Sequence, residues 1–214
     1  MGVTNSNKVI NTDRIPCDGT LRVTLALTAA PDIVSNPTDI VLVLDRSGSM
    51  TGTPLADMKV GAKTFIDLID EATDSSQDGQ IGSGSRMGVV SFSNTAVADT
   101  QLITSVDVLK AAVDDLSAGG STNHANAFAK AVQLFDPASA NAKVMVMFTD
   151  GNTTIGAPPA PVAAAARAQG IIIYCIGLIG SDGLDITALN DWATDPDASH
   201  VAVTPVSYTH LRAH

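Results

Sequence analysis

Three short stretches carry oxygen-rich side chains at points where an apolar run stops or a helix begins. Residues 45–49 read Asp-Arg-Ser-Gly-Ser, residues 119–123 read Gly-Gly-Ser-Thr-Asn, and residues 149–151 read Thr-Asp-Gly. Together they offer hydroxyls from Ser47, Ser49 and Thr122 and carboxylates from Asp45 and Asp150. That set is an all-oxygen cage suited to a hard cation. Mg²⁺ fits it best, because magnesium keeps several waters and is held by only one or two carboxylates; Mn²⁺ and Ca²⁺ are the substitutes. Neutral hydroxyl ligands leave much of the ion's charge unspent, so an exchangeable position on it attracts a Glu or Asp carboxylate from a protein partner. A helix or turn cap would explain one of these hydroxyls but not three matched loops. Arg46 and His124, beside the motifs, read as solvent-exposed spacers. Asn152 opens an Asn-Thr-Thr sequon, which matters only in a eukaryotic secretory pathway.

The elements around these stretches must bring them to one place. Apolar runs at 39–45, 87–93, 143–150, 170–178 and 200–205 alternate with amphipathic segments at 54–72, 106–116, 123–135, 161–170 and 185–193. This is the rhythm of a parallel sheet covered on both faces. In the segment 54–72, Leu55, Met58, Ala62, Phe65, Ile66 and Ile69 recur at helical spacing and form a core face. Residues 96–103 follow the second run after a two-residue turn and predict a short antiparallel edge strand. Residues 20–28 alternate strictly, predicting an extra strand in an N-terminal arm. The Ser- and Gly-rich stretch 74–86 reads as a flexible surface connection, without the spacing of a phosphate-binding loop. The fold expected is therefore α/β: a doubly wound, mostly parallel, Rossmann-like sheet with one antiparallel edge strand, plus the extra N-terminal β strand. In such a sheet ligands sit at the carboxyl ends of the strands. All five oxygen donors can reach that rim.

Asp45-Arg-Ser-Gly-Ser49, Thr122 and Thr149-Asp-Gly151 together resemble the von Willebrand factor type A domain and its metal-ion-dependent adhesion site. The resemblance covers about residues 38–205 and suggests a bacterial type. It implies that Asp45, Ser47 and Ser49 form the first loop of the site, Thr122 the second and Asp150 the third. It further implies that the serines bind metal directly while the acids often act through water. Ser121 competes for the threonine role; Thr122 is preferred because it directly precedes Asn123 and the helix, as in the family. The family closes with a helix after its last strand, and here the chain runs into residues 207–214, Ser-Tyr-Thr-His-Leu-Arg-Ala-His, which read as a non-native tail. A closing helix is thus expected to be lost and one flank of the sheet thinly covered.

The chain's bulk properties narrow the function. Its 214 residues suit one large domain, divided here into an arm at 1–37, the domain proper at 38–206 and the tail. With 12 Lys and Arg against 22 Asp and Glu, the formal charge of -10 repels phosphate backbones, so no nucleic-acid partner is expected. No apolar run approaches the roughly 20 residues of a membrane span, and membrane insertion is not expected. The first residues lack the features of a signal peptide and read as a fragment boundary. Cys17 and Cys175 are the two cysteines; paired, they would tie the arm to the sheet, and unpaired, Cys175 is a buried thiol. The leading expectation is a non-catalytic, metal-dependent adhesion module on a bacterial surface or secreted. The alternative is a cytoplasmic subunit regulating an AAA+ ATPase or a metal chelatase. A phosphoryl-transfer enzyme with an aspartyl nucleophile is disfavoured, because Ser47 stands where the haloacid dehalogenase pattern needs a second Asp.

Overall fold

The computed structural model describes residues 37–194 and the backbone of residues 201–204. Strands β1 (Thr38–Asp45), β2 (Arg86–Phe92), β3 (Ala96–Ala98), β4 (Ala142–Thr149), β5 (Ile171–Leu178) and β6 (Val201–Thr204) form one sheet in the order β3-β2-β1-β4-β5-β6. All neighbours are parallel except β2 and β3. Helices α1 (Thr53–Asp74), α2 (Val106–Asp114), α3 (His124–Val132), α4 (Pro159–Ala168) and α5 (Ile186–Trp192) cover the two faces.

The continuous apolar runs follow from this layering, since alternate residues of each inner strand enter different cores. Val41 and Val43 of β1 join Phe128 and Ala131 of α3, Ala163 and Ala166 of α4, and Leu189 and Trp192 of α5. Ile40, Leu42 and Leu44 join Met58, Ala62 and Ile66 of α1 with Leu109 and Val113 of α2. The expected core face of α1 is therefore real, with Leu55, Phe65 and Ile69 partly buried at its margin. Strand order reverses between β1 and β4, the place where an open α/β sheet leaves a crevice at its carboxyl edge. Asp45 ends β1, and Asp150 directly follows β4.

Some expectations need correction. The edge strand is three residues long, because Asp99 and Thr100 both donate backbone N–H groups to the Val89 carbonyl while the Thr100 hydroxyl takes the Val89 N–H at 2.9 Å. Two residues facing one make a bulge, and pairing resumes only at Met87 and Ile103. The stretch 74–86 is tethered along its length rather than loose. Gly79 N–H donates to Asp70 Oδ2 at 3.2 Å, Gly82 N–H to Thr73 Oγ1 at 2.9 Å, and Ile81 is buried. On β5, Ile171, Ile173 and Cys175 are buried, whereas Ile172, Tyr174 and Ile176 on the other face are half-buried by the described residues. Cys175 is a free thiol whose burial pushes it up to about 12. Cys17, the strand expected at 20–28 and the tail at 207–214 lie outside the described residues.

Candidate metal centre

Each site residue is delivered by the end of an element. The first loop leaves β1 at Asp45 and turns through a short 3-10 segment, Gly48–Met50, before α1 begins. Its conformation is set by Asp45 itself, whose Oδ1 accepts from the Ser47 N–H at 2.8 Å. The same turn places the Ser47 and Ser49 hydroxyls 3.1 Å apart. Backbone bonds then zip this loop to the second: Gly48 N–H donates to the Gly120 carbonyl at 2.9 Å, and Gly119 N–H to the Arg46 carbonyl at 2.8 Å. The second loop is zipped to the third in turn. Thr122 N–H donates to Thr154 Oγ1 at 2.8 Å, and its carbonyl accepts from Thr154 and Ile155. A fourth segment, after β5, joins through Ser181 N–H to the Ser49 carbonyl at 3.0 Å and Asp185 N–H to the Asp150 carbonyl at 2.8 Å.

The five residues singled out from the sequence therefore come together at one sheet edge. Asp45, Ser47 and Asp150 are fully buried and Thr122 nearly so. Ser49 and Thr122 line a cleft of about 320 Å³ whose wall also includes Ser121, Asn152, Thr154, Ser181 and Asp182. Ser121, the competitor for the threonine role, is thus also at the cleft, but its N–H is taken by Asn94 Oδ1.

The electrostatics of the edge are unusual. Asp45 and Asp150 are two buried acids, and among the described residues neither pairs with a Lys or Arg. Burial pushes Asp45 up to about 6; bonds from Ser47 and Thr149 oppose the rise, and the Asp150 charge adds to it. Asp150 Oδ1 accepts from the Asn152 N–H at 2.9 Å, but Oδ2 has no hydrogen-bond partner in the protein. The room beside Oδ2 is kept by Gly180, where a Cβ would stand 2.5 Å from that oxygen. Among the described residues no three His, Cys, Asp or Glu side chains cluster so as to hold a metal, so an ion here would need hydroxyl oxygens as well. An unpaired buried carboxylate oxygen, a second carboxylate and two facing hydroxyls do fit a hard, oxygen-seeking cation.

Sequence reasoning missed the residues behind these donors. His124 is fully buried, not an exposed spacer, and burial lowers it to about 3. Its Nε2 lies 2.8 Å from Thr149 Oγ1 and its Nδ1 2.8 Å from Thr153 Oγ1. Thr149 Oγ1 donates to Asp45 Oδ2 at 2.6 Å. The signal for His124 was its helical spacing to Phe128 and Ala131, which puts it on the buried face of α3. Arg46 is half-buried, its Nε donating to Ser91 Oγ at 3.3 Å.

Residues 39–212 match the von Willebrand factor type A domain. Human matrilin-3 is 32% identical over 179 residues, 78% of this chain and 34% of that protein. The chain thus spans about a third of the length of the matrilins it matches. Among solved structures, proximal thread matrix protein 1 from the mussel byssus, with a zinc-occupied MIDAS motif, superposes with a TM-score of 0.68 at 23% identity, covering 82% of this chain and 43% of that one. The vWF domain of the type V pili tip protein Mfa5 from Porphyromonas gingivalis does so with a TM-score of 0.67 at 14% identity, covering 79% and 90%.

Proposed function

The chain belongs to the von Willebrand factor type A domain family, and from that premise we propose that it is a non-catalytic protein-binding module that holds a divalent cation and uses it to capture a partner's Glu or Asp. The observation that carries this reading is the pair of buried acids Asp45 and Asp150, neither paired with a Lys or Arg among the described residues and one with an unbonded oxygen, beside the Ser47 and Ser49 hydroxyls. Asp45, Ser47, Ser49, Thr122 and Asp150 would hold the ion, directly or through water. When bound, it supplies a Lewis-acidic position open to a carboxylate. Mg²⁺ is the ion proposed, with Mn²⁺ and Ca²⁺ as substitutes, because the donors are all hard oxygens. Zinc, named in the mussel structure, more often takes nitrogen and sulfur ligands.

The protein's own residues shape the capture. Ser49 and Thr122 meet the cleft, so an incoming acidic side chain arrives between the first and second loops. Both oxygens of Asp45 already accept hydrogen bonds, which suits a fixed anchor and not an attacking nucleophile. A place outside the cell or at its surface is proposed with this function. The mussel matrix protein and the pilus tip protein supply the analogy, and among the described residues no helix is long and apolar enough to cross a membrane.

Thermal unfolding of EDTA-stripped protein, with and without millimolar Mg²⁺ or Mn²⁺, tests the metal. An ion at 100 times its Kd adds about 2.7 kcal/mol to folding, and Asp45→Ala should remove the whole increment. A wild type that unfolds cooperatively but ignores both ions would rule the reading out. Carboxylate capture is read from water-proton relaxation of the Mn²⁺-loaded protein, which should weaken as acetate displaces a bound water.

A further inference from the structure

His124 is buried beside the site, and the capture of a metal or a partner gives it no part. Its hydrogen bonds have a definite direction. An ionised Asp45 can only accept, and Thr149 Oγ1 stands 2.6 Å from Asp45 Oδ2, so the single Thr149 hydroxyl proton is committed there. Thr149 Oγ1 must then accept from His124 Nε2 at 2.8 Å, as it also accepts from the Gly151 N–H at 3.1 Å. A neutral imidazole carries one N–H, which this places on Nε2. Nδ1 is therefore the acceptor, and the Thr153 hydroxyl 2.8 Å away is its donor. Every link points the same way, from Thr153 through His124 and Thr149 to Asp45.

The ring is also held in its plane. Phe92 of β2 lies 5.1 Å from it and Trp192 of α5 lies 4.6 Å from it, centroid to centroid. The chain ties the start of α3 to the end of β1, to the end of β4 and to the segment after it that carries Asp150 and Thr154. Thr154 in turn receives the Thr122 N–H. Polarised links of this kind strengthen one another in a buried setting and fix the orientation of the final acceptor.

We propose that His124 is a positioning residue of the metal centre, one that sets metal affinity by orienting Asp45 and the 149–154 segment without touching metal or partner. This rests on the metal-dependent reading above. Partners behind metal ligands typically matter by 10- to 100-fold in affinity, roughly the size expected here.

The test compares wild type, His124→Phe, His124→Gln, His124→Asn and Thr153→Val by Mn²⁺ binding, read from the EPR signal of the free ion, and by urea unfolding in EDTA. His124→Phe keeps an aromatic ring between Phe92 and Trp192 but loses both bonds, and its Mn²⁺ affinity should fall about 10-fold or more. His124→Gln can still donate to Thr149 and should recover most of that loss, whereas His124→Asn, too short to reach Thr149, should not. Thr153 is exposed, so Thr153→Val should fold as wild type does and still weaken Mn²⁺ binding several-fold. Wild-type affinity in His124→Phe and Thr153→Val, or losses in all His124 variants that merely follow their EDTA stability, would overturn the proposal. A wild type that binds no Mn²⁺ would overturn the metal reading and this inference with it. Should the His124 variants fail to fold, Thr153→Val and the ¹⁵N shifts of wild-type His124 still decide. A proton found on Nδ1 would contradict the directed chain.

Discussion

Strand β1 carries a buried aspartate at each end, and the two live under opposite rules. Asp39, near its start, is saturated: Arg86 donates to both carboxylate oxygens at 2.9 and 2.8 Å, Asn141 to Oδ1 at 3.0 Å and Ser139 to Oδ2 at 3.2 Å. Burial pushes its carboxyl up, but the Arg86 and Asn141 bonds outweigh that and hold it below its ordinary value. Asp45, at the other end, is equally buried yet has no Lys or Arg partner among the described residues, accepts only from Ser47 and Thr149, faces the charge of Asp150, and is pushed by burial up to about 6. At the carboxyl edge the neighbouring Arg46 turns to Ser91 and leaves Asp45 without an ion pair, while the amino edge sets Asp39 opposite Arg86 in the β1–β2 register. One end of the strand is internally satisfied; the other is left with charge that, on the proposed reading, a cation would balance.

This contrast can be broken in several ways. Asp39→Asn should be the most costly, at about 3 kcal/mol in urea unfolding, toward the low end for a broken buried pair because the Arg86 side chain is 38% exposed and regains water. The loss should be the same with and without metal. A neutral effect would show the saturated network to be dispensable.

The pH dependence of metal-free protein should separate the two acids by sign. A folded pKa below the ordinary value means that Asp39 contributes stability above about pH 4, lost as pH falls further. A raised pKa means the reverse for Asp45: stability present below about pH 4 declines as pH climbs to about 6, by on the order of 2 kcal/mol. Denaturant midpoints from pH 3 to 7 should show both limbs. Asp45→Asn should flatten the upper one and Asp39→Asn the lower one.

A smaller and more local effect is expected at Gly180. An added methyl in Gly180→Ala meets Asp150 Oδ2 at 2.5 Å, so about 1 kcal/mol of stability should be lost. Metal affinity should suffer more than the fold, because the crowded oxygen is the one without a protein partner. Equal affinity in this variant would mean that Asp150 Oδ2 has no part in the site.

Much of this architecture is legible in the amino-acid sequence, for local reasons. Runs such as 39–45 and 143–150 are apolar on both faces because both faces are covered, and the acids that end them sit at a rim by necessity. Asp45, Ser47, Ser49, Thr122 and Asp150 could be gathered because each lies at an element end. What stayed hidden depends on pairing between distant segments. Asp39 looks like the polar start of a strand until Arg86 is set beside it in register. His124 looks like a spacer after a helix cap because its surroundings, Phe92 and Trp192, come from other elements. The tether of 74–86 is equally non-local, with the Ile81 N–H on the Thr104 carbonyl.

The most direct measurement is urea unfolding of Asp45→Asn at pH 7, in EDTA and then in saturating Mn²⁺, beside wild type and Asp39→Asn. Without metal, Asp45→Asn should be as stable as wild type to within about 1 kcal/mol, since the change relieves a buried charge while keeping its shape. With metal, it should lack the increment that wild type and Asp39→Asn both gain. A metal-free loss as large as that of Asp39→Asn, or a metal increment that survives the substitution, would contradict the division of labour between the two ends of β1.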